Sequence, residues 1–250
     1  MSAWYESTFG RDYLALYPHR DAEEAAHDVQ GILELISPSR TEPLLDLCCG
    51  AGRHMVAFRK AGFIDVTGLD LSADLLAEAR LRLQSEGMED SMLIRADMRD
   101  IPANLRYQTI VSLFTSFGYF QEDHENERVL QSAYRALVPG GTFLLDTLNR
   151  DCVVDNLVPI ERKKFDGKTI DITRRITDDG LRVEKTTRIA QPGSPETIYH
   201  ESVRMYTRAE LAELLSRVGF LSLRFYGNLE GQAFSSTSAR TVIVASKASS

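Results

Sequence analysis

Two aspartates and two glycines stand at spacings that can do chemistry. Asp46 interrupts the apolar run Leu44 to Leu47, and Gly50 and Gly52 follow it within six residues. From Arg53 the periodicity becomes helical. An apolar strand that breaks at glycines and restarts as a helix makes a cradle, because backbone without Cβ lets a ligand approach closely. Asp70 closes a second apolar run, Ile64 to Leu69, eighteen residues past Gly52. A carboxylate that far downstream is placed to accept from a ribose diol. The pattern is a nucleoside-binding start.

The elements that must position these residues follow from periodicity. Residues 21–37 read as a helix with Asp21 as N-cap, with Val29, Ile32, Leu33 and Ile36 on one face and Pro38 as the stop. A strand at 43–48 leads through the glycines to a helix at 52–61, ended by Gly62. Strand 64–69, helix 73–86 capped by Ser72, and strand 91–95 come next. Strand 109–115, helix 124–137 stopped at Pro139-Gly140-Gly141, and strand 142–148 complete the alternation. Such alternation predicts right-handed crossovers and a parallel sheet covered on both faces, with ligands beyond the carboxyl ends of the strands.

Residues 160–206 change character. Thr-Ile-Asp-Ile-Thr and Arg-Val-Glu-Lys-Thr-Thr-Arg-Ile alternate, with turn signals at Asp166-Gly167, Asp178-Asp179-Gly180 and Pro192-Gly193. These predict antiparallel hairpins. Thr207 then caps a helix at 208–218 that Gly219 ends, and strands near 220–226 and 240–246 close the chain. The whole reads as a single domain over 1–250, with an N-terminal helical lid at 1–40 and an inserted antiparallel layer at 152–206 over the active site.

Bulk properties narrow the function. The 250 residues carry 29 Lys and Arg against 36 Asp and Glu, a net charge of −7. A duplex-binding protein would show a basic excess, so nucleic acid is not the expected partner. No apolar run approaches the roughly 20 residues of a membrane span. The N-terminus shows neither a basic region nor an apolar segment, as a signal peptide would. Cys48 and Cys49 are adjacent and Cys152 is distant, neither a disulfide framework nor a zinc pattern. A cytoplasmic location is expected, and no metal.

Four phrases in register carry a resemblance: Leu-Leu-Asp-Leu-Cys-Cys-Gly-Ala-Gly, Gly-Leu-Asp-Leu-Ser, Arg-Ala-Asp-Met-Arg-Asp and Val-Pro-Gly-Gly-Thr-Phe. Over residues 41–150 the chain resembles the class I S-adenosylmethionine-dependent methyltransferases, in a small-molecule branch similar to the aminosugar N-methyltransferases. The resemblance implies a Rossmann-like three-layer α/β sandwich with a seven-stranded, mostly parallel sheet. It implies S-adenosyl-L-methionine as cofactor and S-adenosyl-L-homocysteine as product. Gly50 and Gly52 form the turn, Asp70 holds the ribose, and Asp46 receives the methionine ammonium or bonds the glycine-turn amides. Asp97 accepts from the adenine amino group, or forms a turn, while Met98 and Leu71 flank the ring. Phe114 lines the sulfonium side. Cys48 stands where the family often has glycine, and its small side chain predicts little effect. Tyr13 or Arg20 of the aromatic-rich N-terminus would reach the ligand from a lid.

A dinucleotide-dependent oxidoreductase would want a third glycine at Met55, and phosphoryl transfer would want a Walker lysine; neither is present. A sulfonium methyl is already activated, so the protein chiefly positions it for in-line displacement onto nitrogen or oxygen. Tyr119 is the foremost candidate for contact with the acceptor, followed by His19, His124, Asn149 and His200. The expected partner is a small polar acceptor, with a homodimer through exposed strand edges. Two other readings stay open: an RNA methyltransferase, and a protein that binds S-adenosylmethionine without turning it over.

Overall fold

The computed structural model describes residues 4–8, 22–165 and 167–249. A short helix, α1 (Trp4–Thr8), precedes α2 (Ala22–Ile36). The alternating part runs β1 (Leu44–Leu47), α3 (Arg53–Lys60), β2 (Val66–Asp70), α4 (Ala73–Ser85), β3 (Met92–Arg95), β4 (Tyr107–Ser112), α5 (Asp123–Ala136) and β5 (Leu137–Leu148). After α6 (Arg150–Asn156) come four hairpin strands, β6 (Ile160–Phe165), β7 (Lys168–Ile176), β8 (Arg182–Ala190) and β9 (Thr197–Arg204). The chain ends with α7 (Arg208–Val218), β10 (Leu221–Tyr226) and β11 (Arg240–Ser246).

Seven strands form one sheet in the order β10-β11-β5-β4-β1-β2-β3, in which β11 alone runs against its neighbours. The alternation of strand residues explains the three layers, because successive side chains face opposite sides. Leu45, Ile110, Leu145 and Ile243 point to α5 and α7, whose Leu130, Ala133, Leu211 and Leu215 are fully buried. Leu44, Val111, Leu144 and Val242 point the other way, to Ile32 of α2 and to Met55 and Phe58 of α3. Helix α2 therefore belongs to the sandwich. The second sheet, β6-β7-β8-β9, is antiparallel throughout, and its hairpins turn where the sequence places them.

Two boundaries differ from expectation. Pro139-Gly140-Gly141 does not separate helix from strand; α5 runs directly into β5, and the three residues form an irregularity within it. Gly140 N–H donates to Ala248 O and Lys247 N–H to Gly141 O, so the terminal segment supplies the pairing there. Proline is tolerated in a strand at such a bulge. Strand β4 stops at Ser112 because Phe114 and Thr115 adopt φ of 62° and 66°, outside any strand. Helix α6, capped by the Asn149 side chain, was not expected.

The missing third glycine has a structural counterpart. Met55 is fully buried on α3, and Gly68 on β2 gives it room. A Cβ at Gly68 would overlap the Met55 sulfur and lie 2.7 Å from Cys49 Sγ. Gly68→Ala should therefore lower stability by about 1–3 kcal/mol, read as a shift in the denaturation midpoint. An unchanged midpoint would show that α3 packs more loosely on the sheet than these contacts imply.

Candidate active site

Two cavities meet beyond the carboxyl ends of β1, β2 and β4. The first, about 520 Å³, is bordered by Asp46, Gly50, Asp70, Leu71, Asp97 and Met98. The second, about 650 Å³, lies between the end of β5, helix α6 and strands β6 to β9. Phe114 and Tyr119 line both.

Asp70 sits at the tip of β2 and is buried. Its Oδ2 accepts from Gly50 N–H at 2.9 Å and its Oδ1 from Ser72 N–H at 2.9 Å. The glycine turn is thereby tied to Asp70 rather than to Asp46. Burial pushes the Asp70 carboxyl up, opposed by the amides of Ser72, Gly50 and Leu71. A carboxylate offers about four lone-pair directions, so with three amides engaged one remains for a further donor.

Asp97 accepts from Arg99 N–H at 2.8 Å and from the Arg99 guanidinium at 2.6–3.1 Å. It forms the turn anticipated for it, with Asp100 N–H on its carbonyl at 2.8 Å, and it borders the cavity. Burial raises its carboxyl, but the Arg99 hydrogen bonds outweigh that and hold it below the usual range. Met98 is buried beside it, 3.5 Å from Cys48 Sγ.

Asp46 is the unusual one. It is 1% exposed, and its Oδ2 has no hydrogen-bond partner. Burial pushes its carboxyl up to about 6, with His54 and Arg53 opposing and Asp70 adding to the rise. A buried acceptor without a donor costs stability unless a ligand supplies one.

Several expectations need adjustment. Gly52 does not border the cavity; at φ 73° it starts α3, and a Cβ there would lie 3.0 Å from the Ala79 Cβ of α4. Cys48 does more than fill space, because its φ of 67° is a conformation that disfavours a side chain. Asn149 is buried, and its amide donates to Ser235, Ser236 and Ser238 carbonyls, so it caps and braces rather than contacts a ligand. His124 and His200 are exposed and border neither cavity. His19, Tyr13 and Arg20 lie outside the described residues.

The sequence reading missed Arg53, Asp146 and Arg240. Arg53 follows the glycine turn directly, which was the available signal. Its Nη1 pairs with Glu24 of α2, and its guanidinium lies 4.9 Å from the Phe114 ring centroid. Asp146 Oδ2 accepts from Phe114 N–H at 2.9 Å, while Arg240 bridges Asp146 Oδ1 at 2.7 Å and Thr115 Oγ1 at 2.8 Å. Cys48 and Cys49 have thiols pushed well up by burial and by neighbouring carboxylates, which leaves them poor nucleophiles.

Comparison with known proteins accords with this geometry. Residues 44–141 match the family described as "Methyltransferase domain". The chain is 30% identical over 187 residues to a dTDP-3-amino-3,4,6-trideoxy-alpha-D-glucopyranose N,N-dimethyltransferase of Streptomyces venezuelae, covering 74% of this chain and 72% of the relative. The chain belongs to the class I S-adenosylmethionine-dependent methyltransferases. A glycine/sarcosine N-methyltransferase of Halorhodospira halochloris is 26% identical over 190 residues, 75% of this chain and 68% of the relative. In fold, the methyltransferase resembles an S-adenosylmethionine-dependent methyltransferase of Clostridium acetobutylicum, with a TM-score of 0.82 at 15% identity over 95% of this chain and 98% of that one.

The residues present fit S-adenosylmethionine. The cavity volume falls within the roughly 300–1,000 Å³ of small-molecule sites. Asp70 has acceptor capacity to spare, and the orphaned Asp46 oxygen can take an ammonium. Among the described residues no group of His, Cys, Asp and Glu could hold a metal ion, and no helix is long and apolar enough to cross a membrane.

The Asp46 carboxyl sets a pH dependence. An ammonium binds the ionised form, so S-adenosylhomocysteine affinity should be full well above pH 6 and fall as the carboxyl protonates through about pH 6. Calorimetry across that range checks this, and Asp46→Asn should flatten the profile. Because the folded value is raised from 3.8, the ligand-free fold loses stability as pH rises from 3.8 to about 6. Asp46→Asn should therefore melt above wild type at neutral pH, with the gap closing in acid.

Proposed function

We propose that the enzyme transfers a methyl group by in-line displacement to a nitrogen of a small polar acceptor held in the second cavity. The observation that carries this reading is the wall shared by the two cavities, Phe114 and Tyr119. When bound in the first cavity, S-adenosylmethionine supplies an electrophilic sulfonium methyl. The ribose is held by Asp70, the adenine end by Asp97, Met98 and Leu71, and the glycine turn at Cys48 and Gly50 closes on the cofactor. Phe114 covers the methyl side, and Tyr13 and Arg20 complete the set from the N-terminal segment.

The second cavity is mostly apolar, with Val153, Leu157 and Val203 beside the ion pairs Glu161–Arg174 and Lys185–Glu201. Strands β6 to β9 roof it, in keeping with an inserted layer over the active site. The Streptomyces venezuelae and Halorhodospira halochloris relatives are N-methyltransferases, and a neutral amine aimed at the methyl needs little from the protein beyond orientation. An oxygen acceptor would want a base, and both carboxylates in this cavity are already paired with cations. Tyr119 packs against Trp4 of α1, with ring centroids 5.0 Å apart, so α1 closes the same junction as a lid would.

The test is S-adenosylhomocysteine release with panels of small amines, small hydroxyl compounds and tRNA. Amine-dependent release is expected, with Tyr119→Phe lowering kcat about tenfold by removing a hydroxyl that orients the amine. Turnover with hydroxyl compounds alone would overturn the nitrogen acceptor. Salt-sensitive tRNA methylation would favour the RNA reading, and saturable cofactor binding with no turnover would favour a binding protein.

We place the enzyme in the cytoplasm, where its three unpaired cysteines suit a reducing milieu. A homodimer would form along the β6 edge, where Ile160 is 75% and Phe165 46% exposed. Sedimentation giving only monomer at micromolar concentration would remove the dimer.

A further inference from the structure

The roof of the second cavity carries a row of charges, one from each strand of the added sheet. Arg174 of β7 stands opposite Lys185 of β8, and Lys185 stands opposite Glu201 of β9. Glu161 of β6 accepts from Arg174 Nη2 at 2.8 Å. All four border the cavity, in the order minus, plus, plus, minus. The other charged partners along β7 and β8 are of opposite sign, Arg175 with Glu184 and Asp171 with Arg188. Two cations placed directly opposite each other on neighbouring strands are destabilising on their own.

The outer carboxylates offset that repulsion. Lys185 Nζ donates to Glu201 at 2.5 Å, and the two side chains are only 16% and 17% exposed, so solvent screens the pair weakly. Glu161 also pairs with Lys163 at 2.7 Å, and hydrogen bonds from Lys163 and then Arg174 hold its carboxyl below the usual range. Elsewhere on the wall, Arg240 is committed to Asp146 and Thr115. Each cation bordering the cavity is thus already matched by a carboxylate. An acceptor bearing a phosphate would bring negative charge between Glu161 and Glu201, in a partly desolvated space where repulsion is costly. On the α6 side, Val153 and Leu157 offer no polar side-chain atom and suit a hydrocarbon face.

We propose that this charge row selects an amine borne on a largely apolar body without phosphate, with Glu161 and Glu201 excluding anionic acceptors. The inference deepens the acceptor reading of the second cavity and rests on it. An amine entering as its ammonium meets a carboxylate at either end of the row. An anion reaches the two central cations only by displacing those carboxylates. Specificity of this kind is set by what a site repels as much as by what it attracts.

The test uses tyramine, an amine on an aromatic body, and O-phosphotyramine, which differs from it by one phosphate. Both are titrated into wild type, Glu161→Gln/Glu201→Gln, Glu201→Gln and Val153→Trp, each loaded with S-adenosylhomocysteine. Wild type should bind tyramine about tenfold or more tighter than its phosphate. The double variant leaves Arg174 and Lys185 unmatched and should shift that ratio toward the phosphate by about tenfold. Retained S-adenosylhomocysteine binding reports that a variant is folded. Should the double variant fail to fold, Glu201→Gln alone should shift the ratio the same way in smaller measure. Wild type binding neither compound, wild type failing to prefer tyramine, or a ratio unmoved in the folded variants would overturn the proposal. Val153→Trp fills the cavity without altering its charge and should abolish tyramine binding. Undiminished binding there would place the acceptor elsewhere and instead bring down the reading of the second cavity on which the proposal stands.

Discussion

The junction between the two cavities depends on one buried carboxylate. Phe114 and Thr115 stand in succession in the left-handed region, a conformation that costs a side-chain-bearing residue roughly 1–2 kcal/mol. Asp146 holds them there: its carboxylate accepts from Phe114 N–H, its carbonyl from Thr115 N–H, and Arg240 locks the far oxygen while reaching Thr115. Charge-assisted hydrogen bonds of this kind are strong enough to offset such strain. Strain held at the meeting point of two cavities aims Phe114 into both, where an unstrained strand end would have continued past them.

A second buried charge ties the added sheet to this junction. Arg182, at the start of β8, is 6% exposed and donates to the carbonyls of Phe120, Gly118 and Ser202. Arg204 N–H donates to Gly118 O at 2.7 Å from the neighbouring strand. The loop carrying Tyr119 is thus fixed by the sheet that roofs the second cavity. Any displacement of that sheet would move Tyr119 with it.

Three aspartates at the ends of neighbouring strands are set to different states by their surroundings. Asp97 keeps its charge through Arg99, Asp70 balances burial against backbone amides, and Asp46 is left nearly unsupported. In the binding mode proposed for the cofactor, the gradient runs from its neutral adenine to its charged amino-acid end.

Much of this was legible in the sequence wherever the deciding contacts are local. Thr207 and Glu210 form a reciprocal cap and Gly219 a left-handed end, so α7 falls on the residues its sequence indicates. The apolar runs of β1, β4 and the second half of β5 likewise marked strands buried on both faces. The glycine turn after β1 and Asp70 at the tip of β2 were legible from spacing alone, and Gly50 N–H donates to Asp70 Oδ2. The tertiary structure decided the rest. Gly52 became a packing contact because Ala79 stands 3.0 Å from its absent Cβ, and Asn149 a brace because three serine carbonyls converge on it. The Asp146–Arg240 pair joins residues 94 positions apart, and no pattern within either segment announces it. A cap, a turn or an alternating strand satisfies its own hydrogen bonds and faces within a few residues. A buried charge is completed, or left open for a ligand, only by what the fold brings to it from elsewhere in the chain.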